Sequence, residues 1–352
     1  MSLEKSYSDA ISLLQTLIST PSFSREEQHT ADILYTRLSE LGLNPQRNQN
    51  NVWAQYGNDP ALPTVLLNSH HDTVKPVAGW KKDPFNPLVE GDVLYGLGSN
   101  DAGASLVCLF ETFVQLSALN LPYNLVFLAS AEEEISGKNG VEEALKHLPA
   151  FNFAVVGEPT EMQPAVAEKG LMVLDVTIHG KSGHAARNEG INAIYKSIEE
   201  IQKLRNIQFD RKSDWLGDIK ISVTQIEAGT QHNVVPDKCS WVVDVRTTDA
   251  YSNKEVLERI KSVIDGDVVA RSVRLNPSGI DVEHPFVVRA KLLGLKPYGS
   301  PTLSDQALMN FPTVKMGPGK SERSHTADEF ILLSEIKSAI EIYFKLLKDL
   351  TL

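Results

Sequence analysis

Five short segments of the chain concentrate the residue types that bind divalent metal ions. The first is Ser69-His70-His71-Asp72-Thr73, directly after an apolar run that ends near Leu67. Residues i and i+2 of an extended chain point to the same side, so the Asp72 carboxylate can hold the imidazole of His70 while its other nitrogen binds a metal. A surface turn with incidental histidines fits the same letters, and this segment alone does not decide between the two interpretations.

The second segment is a glycine-rich turn, residues 95–103, that contains Asp101 and precedes a helical pattern. Its glycines permit unusual backbone angles. An aspartate before a helix is more commonly an N-cap than a ligand. The turn is not a dinucleotide fingerprint, because Gly96-x-Gly98 lacks a third glycine at the required spacing. An NAD-linked dehydrogenase is therefore not indicated.

The other three segments also place carboxylates or a histidine in turns. Glu133 and Glu134 follow a buried strand pattern in a run of three glutamates, whose mutual repulsion a bound cation would offset. Glu158 precedes a proline at another strand end, and His325 follows Gly317-Pro318-Gly319. Taken singly, a solvated loop, a turn and a surface histidine explain the three equally simply.

The elements that must position these residues form an α/β pattern. Continuous apolar runs at 65–67, 125–129 and 153–156 predict strands buried on both faces, and helical spacing at 10–18 and 106–114 predicts helices between them. This order indicates a parallel or mixed sheet covered on both sides, with ligands gathering at the carboxyl ends of its strands. Ser24 and Glu27 are predicted to form a capping box for the helix that follows them.

A second pattern begins after Gly170. Strands near 171–178, 220–225, 239–245 and 268–275, with helices near 193–204 and 253–264, give the order β-α-β-β-α-β of a ferredoxin-like module. The last helix, between Ile336 and Leu350, returns to the α/β pattern of the first part of the chain. We therefore predict a discontinuous α/β domain, residues 1–168 and 281–352, with a module inserted at 169–280.

Composition excludes several classes of protein. The chain has 352 residues, of which 42% are hydrophobic, and its 34 basic and 45 acidic residues give a net charge of −11. An acidic chain without a basic run does not favour nucleic acid or anionic membranes, and no apolar run approaches the ~18–20 residues of a membrane span. Residues 1–20 do not resemble a signal peptide, and two cysteines make neither a disulfide framework nor a thiolate cluster. These features predict a cytoplasmic protein.

In their order along the chain, the five segments resemble those of the co-catalytic di-zinc aminoacylase and carboxypeptidase superfamily, most closely its acetylornithine deacetylase branch. The resemblance covers nearly the whole sequence and rests on His70-x-Asp72, Asp101 after the glycine-rich turn, Glu133-Glu134, Gly157-Glu158-Pro159-Thr160 and His325. It implies a zinc-peptidase-like α/β catalytic domain with an inserted ferredoxin-like lid or dimerisation domain. The chain departs from the family at Ala102-Gly103-Ala104, where many members have Met-Lys-Gly.

The resemblance also implies roles for individual residues. Asp101 would bridge two divalent metal ions, with Zn²⁺ as the first choice and Co²⁺ or Mn²⁺ as alternatives. His70 and Glu158 would complete one site, and Glu134 and His325 the other. Asp72 would orient His70, and Glu133 would be the general base. When no metal is bound, the carboxylates of Asp101, Glu134 and Glu158 would crowd together. We therefore expect raised pKa values for these three groups in the metal-free protein.

Four further residues receive roles from the same resemblance. His184 would reach the active site of a partner subunit in a homodimer and help to hold the developing oxyanion. Asn233, Arg246 and Ser304 would bind substrate, with Arg246 pairing to an α-carboxylate. From the residues alone, an ion pair between Arg246 and an acidic neighbour is an equal alternative.

The implied activity is metal-dependent hydrolysis of an N-acyl amino acid, first of all N-acetylornithine in arginine biosynthesis. Succinyl-diaminopimelate desuccinylase, an acetylcitrulline or succinylornithine deacylase and a small dipeptidase are the alternatives, because they share the metal core. A non-enzymatic binding protein of the same fold is disfavoured, since none of the ligands or the base is missing.

Overall fold

The chain folds into two compact units. The computed structural model describes residues 3–187 and 189–352. Of these residues, the first unit comprises 3–166, 279–298 and 304–352, and the second comprises 167–187, 189–278 and 299–303. The predicted division differs from this one chiefly in the segment 299–303, which is too short to carry a periodic pattern that would reveal its place.

The helices and strands alternate through most of the chain. The α-helices of the described residues are α1 Leu3–Ile18, α2 Gln28–Glu40, α3 Ala104–Leu116, α4 Val141–Ala144, α5 Ala193–Arg205, α6 Asn253–Lys261, α7 Pro285–Leu292 and α8 Leu333–Leu347. The strands are β1 Gln46–Asn48, β2 Asn51–Tyr56, β3 Thr64–His70, β4 Leu88–Glu90, β5 Val93–Tyr95, β6 Asn124–Ser130, β7 Phe153–Val156, β8 Ala165–Glu168, β9 Gly170–His179, β10 Gly183–His184, β11 Lys220–Ala228, β12 Val234–Val235, β13 Lys238–Thr247, β14 Asp267–Ala270, β15 Ser278–Gly279, β16 Tyr298–Ser300, β17 Thr313–Lys315 and β18 Phe330–Leu332. Across these ranges, none of the helices has both the length and the apolar character that crossing a membrane requires.

The first unit is built on a mixed sheet whose neighbours run in the order β1-β2-β6-β3-β7-β17-β8. Its centre is parallel: β3 pairs with β6 and with β7, and β17 pairs with β7. Alternate residues of β3 pack on opposite sides, since Val65 and Leu67 join the core formed with α1, α2, α3 and α8, while Leu66 joins the core that includes α4. The predicted α/β sheet covered on both faces is confirmed.

The first unit contains one clear departure from the sequence prediction. Helix α2 begins after Glu27, but Ser24 and Glu27 form no capping box there. The Ser24 hydroxyl instead donates to the Asp72 carboxylate at 2.7 Å, and Glu27 accepts the backbone N–H groups of Arg25 and Glu132. The capping prediction was wrong because the Ser24 hydroxyl bonds to Asp72 and the Glu27 carboxylate also bonds to Glu132, and the local pattern cannot register these distant partners.

The second unit is the predicted ferredoxin-like module. Its antiparallel sheet has the order β11-β13-β9-β14, and residues of α5 and α6 pack on one face around the buried Trp241. Asn192 caps α5 with its side chain, and Ser252 and Glu255 form a capping box for α6. A separate ribbon pairs β10 with β12. The strand predicted at 268–275 is shorter than expected and spans only β14.

Helix α3 of the first unit carries a buried carboxyl group that makes stability depend on pH. Glu111 is 1% exposed, and burial, reinforced by the charge of Asp9 and opposed by Arg37, raises its pKa from 4.5 to about 7. A carboxyl whose pKa is higher in the folded state stabilises the fold most below its unfolded pKa, and that contribution is lost as the pH rises through about 7.

We therefore expect Glu111→Gln to raise the free energy of unfolding at pH 8, by up to about 3 kcal/mol at ~1.4 kcal/mol per pKa unit. At pH 4 the variant and the wild type should be nearly equal. Denaturant titrations at both pH values measure the difference, with the exposed Glu40→Gln as control. A gain that is the same at both pH values would contradict the assignment.

Candidate metal centre and active site

His70 ends β3 with its two ring nitrogens in different surroundings. Its side chain is buried, and Nδ1 donates to the Asp72 carbonyl oxygen at 3.0 Å. In the neutral ring this leaves the Nε2 lone pair free, directed at a group of carboxylates. The neighbouring His71 points away, bonding to Thr30 and to the carbonyl of Asn50. Because successive residues of an extended chain point to opposite sides, His70 faces the carboxylates while His71 is held away from them by its own hydrogen bonds.

Asp101 lies in the glycine-rich turn before α3. The turn needs glycine at Gly96 and Gly98, whose φ angles are 152° and 74°, and the Asp101–Ala102 peptide is cis. The N-cap of α3 is Gly103, so the Asp101 carboxylate does not cap the helix. Its two oxygens lie instead 3.3 Å from His70 Nε2 and 3.5 Å from His325 Nε2. One carboxylate therefore faces two imidazoles.

Glu133 and Glu134 follow β6 in a single helical turn. The backbone N–H groups of both donate to the Asp72 carboxylate, at 3.0 and 3.2 Å. Asp72 therefore holds this turn as well as the His70 ring. The side chains diverge: a Glu133 oxygen lies 4.0 Å from His70 Nε2, and a Glu134 oxygen lies 2.9 Å from His325 Nε2.

The five residues proposed as ligands form two triads that share Asp101. In one triad, ligand atoms of His70, Asp101 and Glu158 lie within 4.8 Å of one another. In the other, Asp101, Glu134 and His325 do so. Glu133 belongs to neither. The grouping of terminal residues around the shared carboxylate is the one that the sequence resemblance implies.

Burial and mutual charge set the pKa values of this cluster. Burial, with the charges of nearby carboxylates, raises the pKa values of Glu133, Glu134 and Glu158. Burial acts in the same direction on Asp101, but the hydrogen bond and charge of His70 and the charge of His325 outweigh it and lower its pKa. The expectation of raised values was therefore wrong for Asp101, because that carboxylate lies between two imidazoles.

The donor set fits a pair of divalent metal ions. Imidazole nitrogens with carboxylate oxygens are ligands that Zn²⁺, Co²⁺ and Mn²⁺ accept. Ligands bound to one ion at ~2.1 Å lie roughly 3–4 Å apart, and the neighbouring donor atoms measured here are 2.9 to 3.7 Å apart. Glu134 Oε1 is buried without a hydrogen-bond partner among the described residues, as expected of an oxygen whose partner is an ion.

Two candidate residues lie together in the second unit. His184 is on β10 and is exposed, opposite Val234 of β12, and the carbonyl of the adjacent Asn233 accepts the N–H of Ala185. The sequence placed His184 and Asn233 about fifty residues apart without connecting them. The ribbon brings them side by side.

Arg246 and Ser304 make contacts that bear on their predicted roles. Arg246 donates through Nε and Nη2 to the carboxylate of Asp244, at 2.9 and 3.1 Å. This is the ion pair that the sequence left open, made possible because residues i and i+2 share one face of β13. A cavity of about 630 Å³ in the second unit is lined by Arg246, Lys169 and Lys220. Ser304 is 2% exposed in the first unit.

Two buried carboxylates of the site lie in segments that the sequence singled out, but the sequence assigned them no role. Glu329 accepts the backbone N–H groups of Gly98, Asn100 and Asp101. Asp305 accepts hydrogen bonds from the side chains of Asn68 and Ser130, and burial raises its pKa to about 6. Glu329 follows His325 by four residues, but only the fold shows what its carboxylate holds.

Comparison with known proteins agrees with the fold. Residues 166–270 match the model of the peptidase dimerisation domain of the M20 family. Succinyl-diaminopimelate desuccinylase of Halorhodospira halophila is 28% identical, the match covering 97% of this chain and 98% of that protein. Acetylornithine deacetylase of Proteus mirabilis is also 28% identical, over 97% of each chain.

A solved structure extends the likeness to the whole fold. The Bacillus subtilis YXEP protein, a dinuclear metal-binding peptidase of the M20 family, superposes with a TM-score of 0.74 at 20% identity, covering 98% of each chain. The comparisons confirm the predicted resemblance, the fold class and the prediction of an amide-hydrolysing enzyme. They do not distinguish an ornithine-type from a diaminopimelate-type substrate, because a relative of each kind is 28% identical to this chain.

Proposed function

We propose that this chain, similar over its whole length to M20 hydrolases, is a metal-dependent amidohydrolase that removes the acyl group from an N-acyl amino acid. One observation carries the proposal: two ligand triads share Asp101, while Glu133 stays outside both and has an oxygen 4.0 Å from His70 Nε2. A carboxylate that is not a ligand but lies beside the ligands is suited to moving a proton.

Glu133 is the general base and then the general acid. It accepts a proton from the attacking water, whose oxygen forms a bond to the acyl carbon. It then gives that proton to the leaving nitrogen as the C–N bond breaks, so that a carboxylic acid and an amine are released. In the metal-free protein, burial and the charges of the neighbouring carboxylates raise its pKa.

Asp72 and His184 support this reaction in different ways. Asp72 orients the His70 ring and, through the N–H groups of Glu133 and Glu134, the two glutamates. His184 is exposed in its own unit, which suits a group offered to the active site of a partner subunit in a homodimer. There it helps to hold the negative charge that develops on the carbonyl oxygen.

Two Zn²⁺ ions are the proposed cofactors, with Co²⁺ or Mn²⁺ able to replace them. His70, Asp101 and Glu158 hold one ion, and Asp101, Glu134 and His325 hold the other. Bound there, the ions supply Lewis acidity, which polarises a carbonyl and makes water more acidic.

The substrate is proposed to be N-acetylornithine, with N-succinyl-diaminopimelate as the second candidate. Relatives with these activities are equally similar to the chain, so arginine and lysine biosynthesis are both supported by homology.

The proposed location of the enzyme is the cytoplasm. Two observations are consistent with it: the chain is acidic, and within residues 3–187 and 189–352 the helices are unsuited to crossing a membrane.

A deacylation screen tests the proposed function. The purified protein, loaded with Zn²⁺ or Co²⁺, is assayed on N-acetyl and N-succinyl forms of ornithine, citrulline, lysine and diaminopimelate, with dipeptides alongside. Metal content is measured on the same samples. Release of the free amine from one acyl amino acid, with two ions bound, is expected. Two bound ions without turnover of any of these amides would contradict the proposal.

Arg246 provides a test of substrate binding. A guanidinium binds a carboxylate through two parallel hydrogen bonds and lysine cannot, so we expect Arg246→Lys to raise KM for the best substrate roughly 10-fold or more without changing metal content. The matched control is Arg271→Lys, because Arg271 makes the same two-bond ion pair with Asp175 elsewhere in this unit. Equal effects of the two variants on KM would exclude a carboxylate-binding role for Arg246.

A further inference from the structure

Glu329 is buried, 2% exposed, and its carboxylate bonds to the turn that carries Asp101. Oε1 accepts the N–H groups of Asn100 and Asp101 at 2.8 and 2.9 Å, and Oε2 accepts that of Gly98 at 3.0 Å. Its main-chain carbonyl also accepts the N–H of Gly96 at 3.0 Å. One residue therefore satisfies four backbone donors between Gly96 and Asp101.

These bonds matter because the turn is not a regular helix. Asp101 and Ala102 have non-helical backbone angles. The N–H of Ser99 bonds to the Gly96 carbonyl, whereas those of Gly98, Asn100 and Asp101 bond to the Glu329 carboxylate. Hydrogen bonds from backbone N–H groups to a carboxylate are among the stronger ones in proteins. The Glu329 carboxylate thus fixes the backbone from which the Asp101 side chain projects.

A second contact runs in the opposite direction, from the Asp101 turn to the segment that precedes His325. Asn100 Nδ2 donates to the Lys320 carbonyl at 3.0 Å and to Ser324 Oγ at 3.2 Å, and Asn100 Oδ1 accepts the Lys320 N–H at 3.1 Å. A Cβ on Gly319 would lie 2.2 Å from Asn100 Oδ1, so this close approach requires glycine there.

The two contacts hold His325 from both sides. Asn100 bonds to residues that precede His325 in the chain. Glu329, which follows His325, bonds to the turn that carries Asp101. We propose that Glu329 is a positioning residue which, with Asn100, sets the separation of the shared carboxylate of Asp101 from His325 and thereby the affinity for both metal ions. This role rests on the proposed function, because it requires that the two triads bind metal.

Titration of the metal-free protein with Co²⁺ tests this role, with d–d absorbance reporting the ligand geometry and a competing chelator giving the affinity. In Glu329→Gln an N–H₂ group replaces one acceptor opposite backbone N–H donors. Loss of a group that orients a ligand typically weakens metal binding by about 10- to 100-fold. We expect a loss of this size for both equivalents of Co²⁺, with an altered absorbance spectrum.

The matched control is Asp328→Asn. Asp328 is adjacent in sequence and also accepts two backbone N–H groups, but from Lys81 and Lys82 rather than from the Asp101 turn. We expect it to bind Co²⁺ as the wild type does. The thermal midpoint of each metal-free variant is measured in parallel, since a merely structural role would lower that midpoint and leave the affinity of the folded protein unchanged.

Asn100→Ala gives a second measurement that leaves the Glu329 carboxylate in place, and it decides the matter if Glu329→Gln does not fold. This variant too should bind both equivalents of Co²⁺ more weakly than the wild type. Wild-type affinity in the folded variants would overturn the positioning role while leaving the proposed function intact. A wild-type protein that binds no Co²⁺ would instead overturn the proposed function, and this role with it.

Discussion

Glu133→Gln is expected to bind two metal ions with wild-type affinity and to lose kcat by about 10³-fold. Proton transfer by a positioned side chain contributes roughly 10²- to 10⁴-fold to a rate, and an amide cannot carry the proton. Metal binding should persist, because Glu133 lies outside both ligand triads. Its backbone N–H still donates to Asp72 in the variant, so the turn and the position of Glu134 are preserved.

Glu132→Gln is the control for this prediction. Glu132 is the first of the same three glutamates, but its carboxylate accepts hydrogen bonds from Asn139. It should retain both metals and nearly all turnover. Single-turnover measurements on the best substrate, combined with metal analysis, separate loss of chemistry from loss of the site. A kcat for Glu133→Gln within a few-fold of the wild type would remove Glu133 from the role of base.

Asp101→Asn is expected to abolish binding of both metal ions and, with it, activity. The carboxylate supplies one oxygen towards each imidazole, and an amide retains a single neutral oxygen. The loss of affinity should exceed the ~10- to 100-fold that removal of a supporting hydrogen bond causes, because a charged ligand of both ions is lost. Titration with Co²⁺ and the thermal midpoint with and without metal measure it.

His325→Ala is the informative comparison, because His325 belongs to only one triad. It should keep one tight equivalent of metal. The wild type should gain stability on metal binding, about 2.7 kcal/mol for each ion at a free ion concentration of 100 times its Kd, whereas Asp101→Asn should gain none. If Asp101→Asn and His325→Ala each retained one equivalent, Asp101 would not be a shared ligand.

The parts of the fold that periodicity could predict are those in which burial is local and repeated. The core strands β3, β6 and β7 are buried at every position, and each contains a continuous apolar run. The second unit alternates buried and partly exposed residues along β9 and β13, so these strands were also predictable from the sequence. Periodicity could not distinguish a long strand at 268–275 from the short β14, because apolar residues continue past its end.

The site residues divide in the same way. His70, Asp101, Glu133 and the other candidates are short polar motifs in turns, so the sequence could nominate them. It could not exclude the N-cap reading of Asp101 or the ion-pair reading of Arg246, because both depend on which neighbour the side chain faces. In the structure Asp101 is not the N-cap of α3, whereas Arg246 does form an ion pair with Asp244.

The sequence by itself determined the α/β pattern with its ferredoxin-like module, the absence of a dinucleotide fingerprint, and the residue types able to bind two metals. Only the tertiary structure decided that Asp101 faces two imidazoles, that Ser24 supports Asp72 rather than a helix end, and that Glu329 holds the turn of Asp101. The physical reason is that periodicity and local motifs record interactions within a few residues. The bond of Ser24 to Asp72 joins residues 48 apart, and that of Asp101 to Glu329 joins residues 228 apart, so their partners are set by the packing of the sheet and its loops.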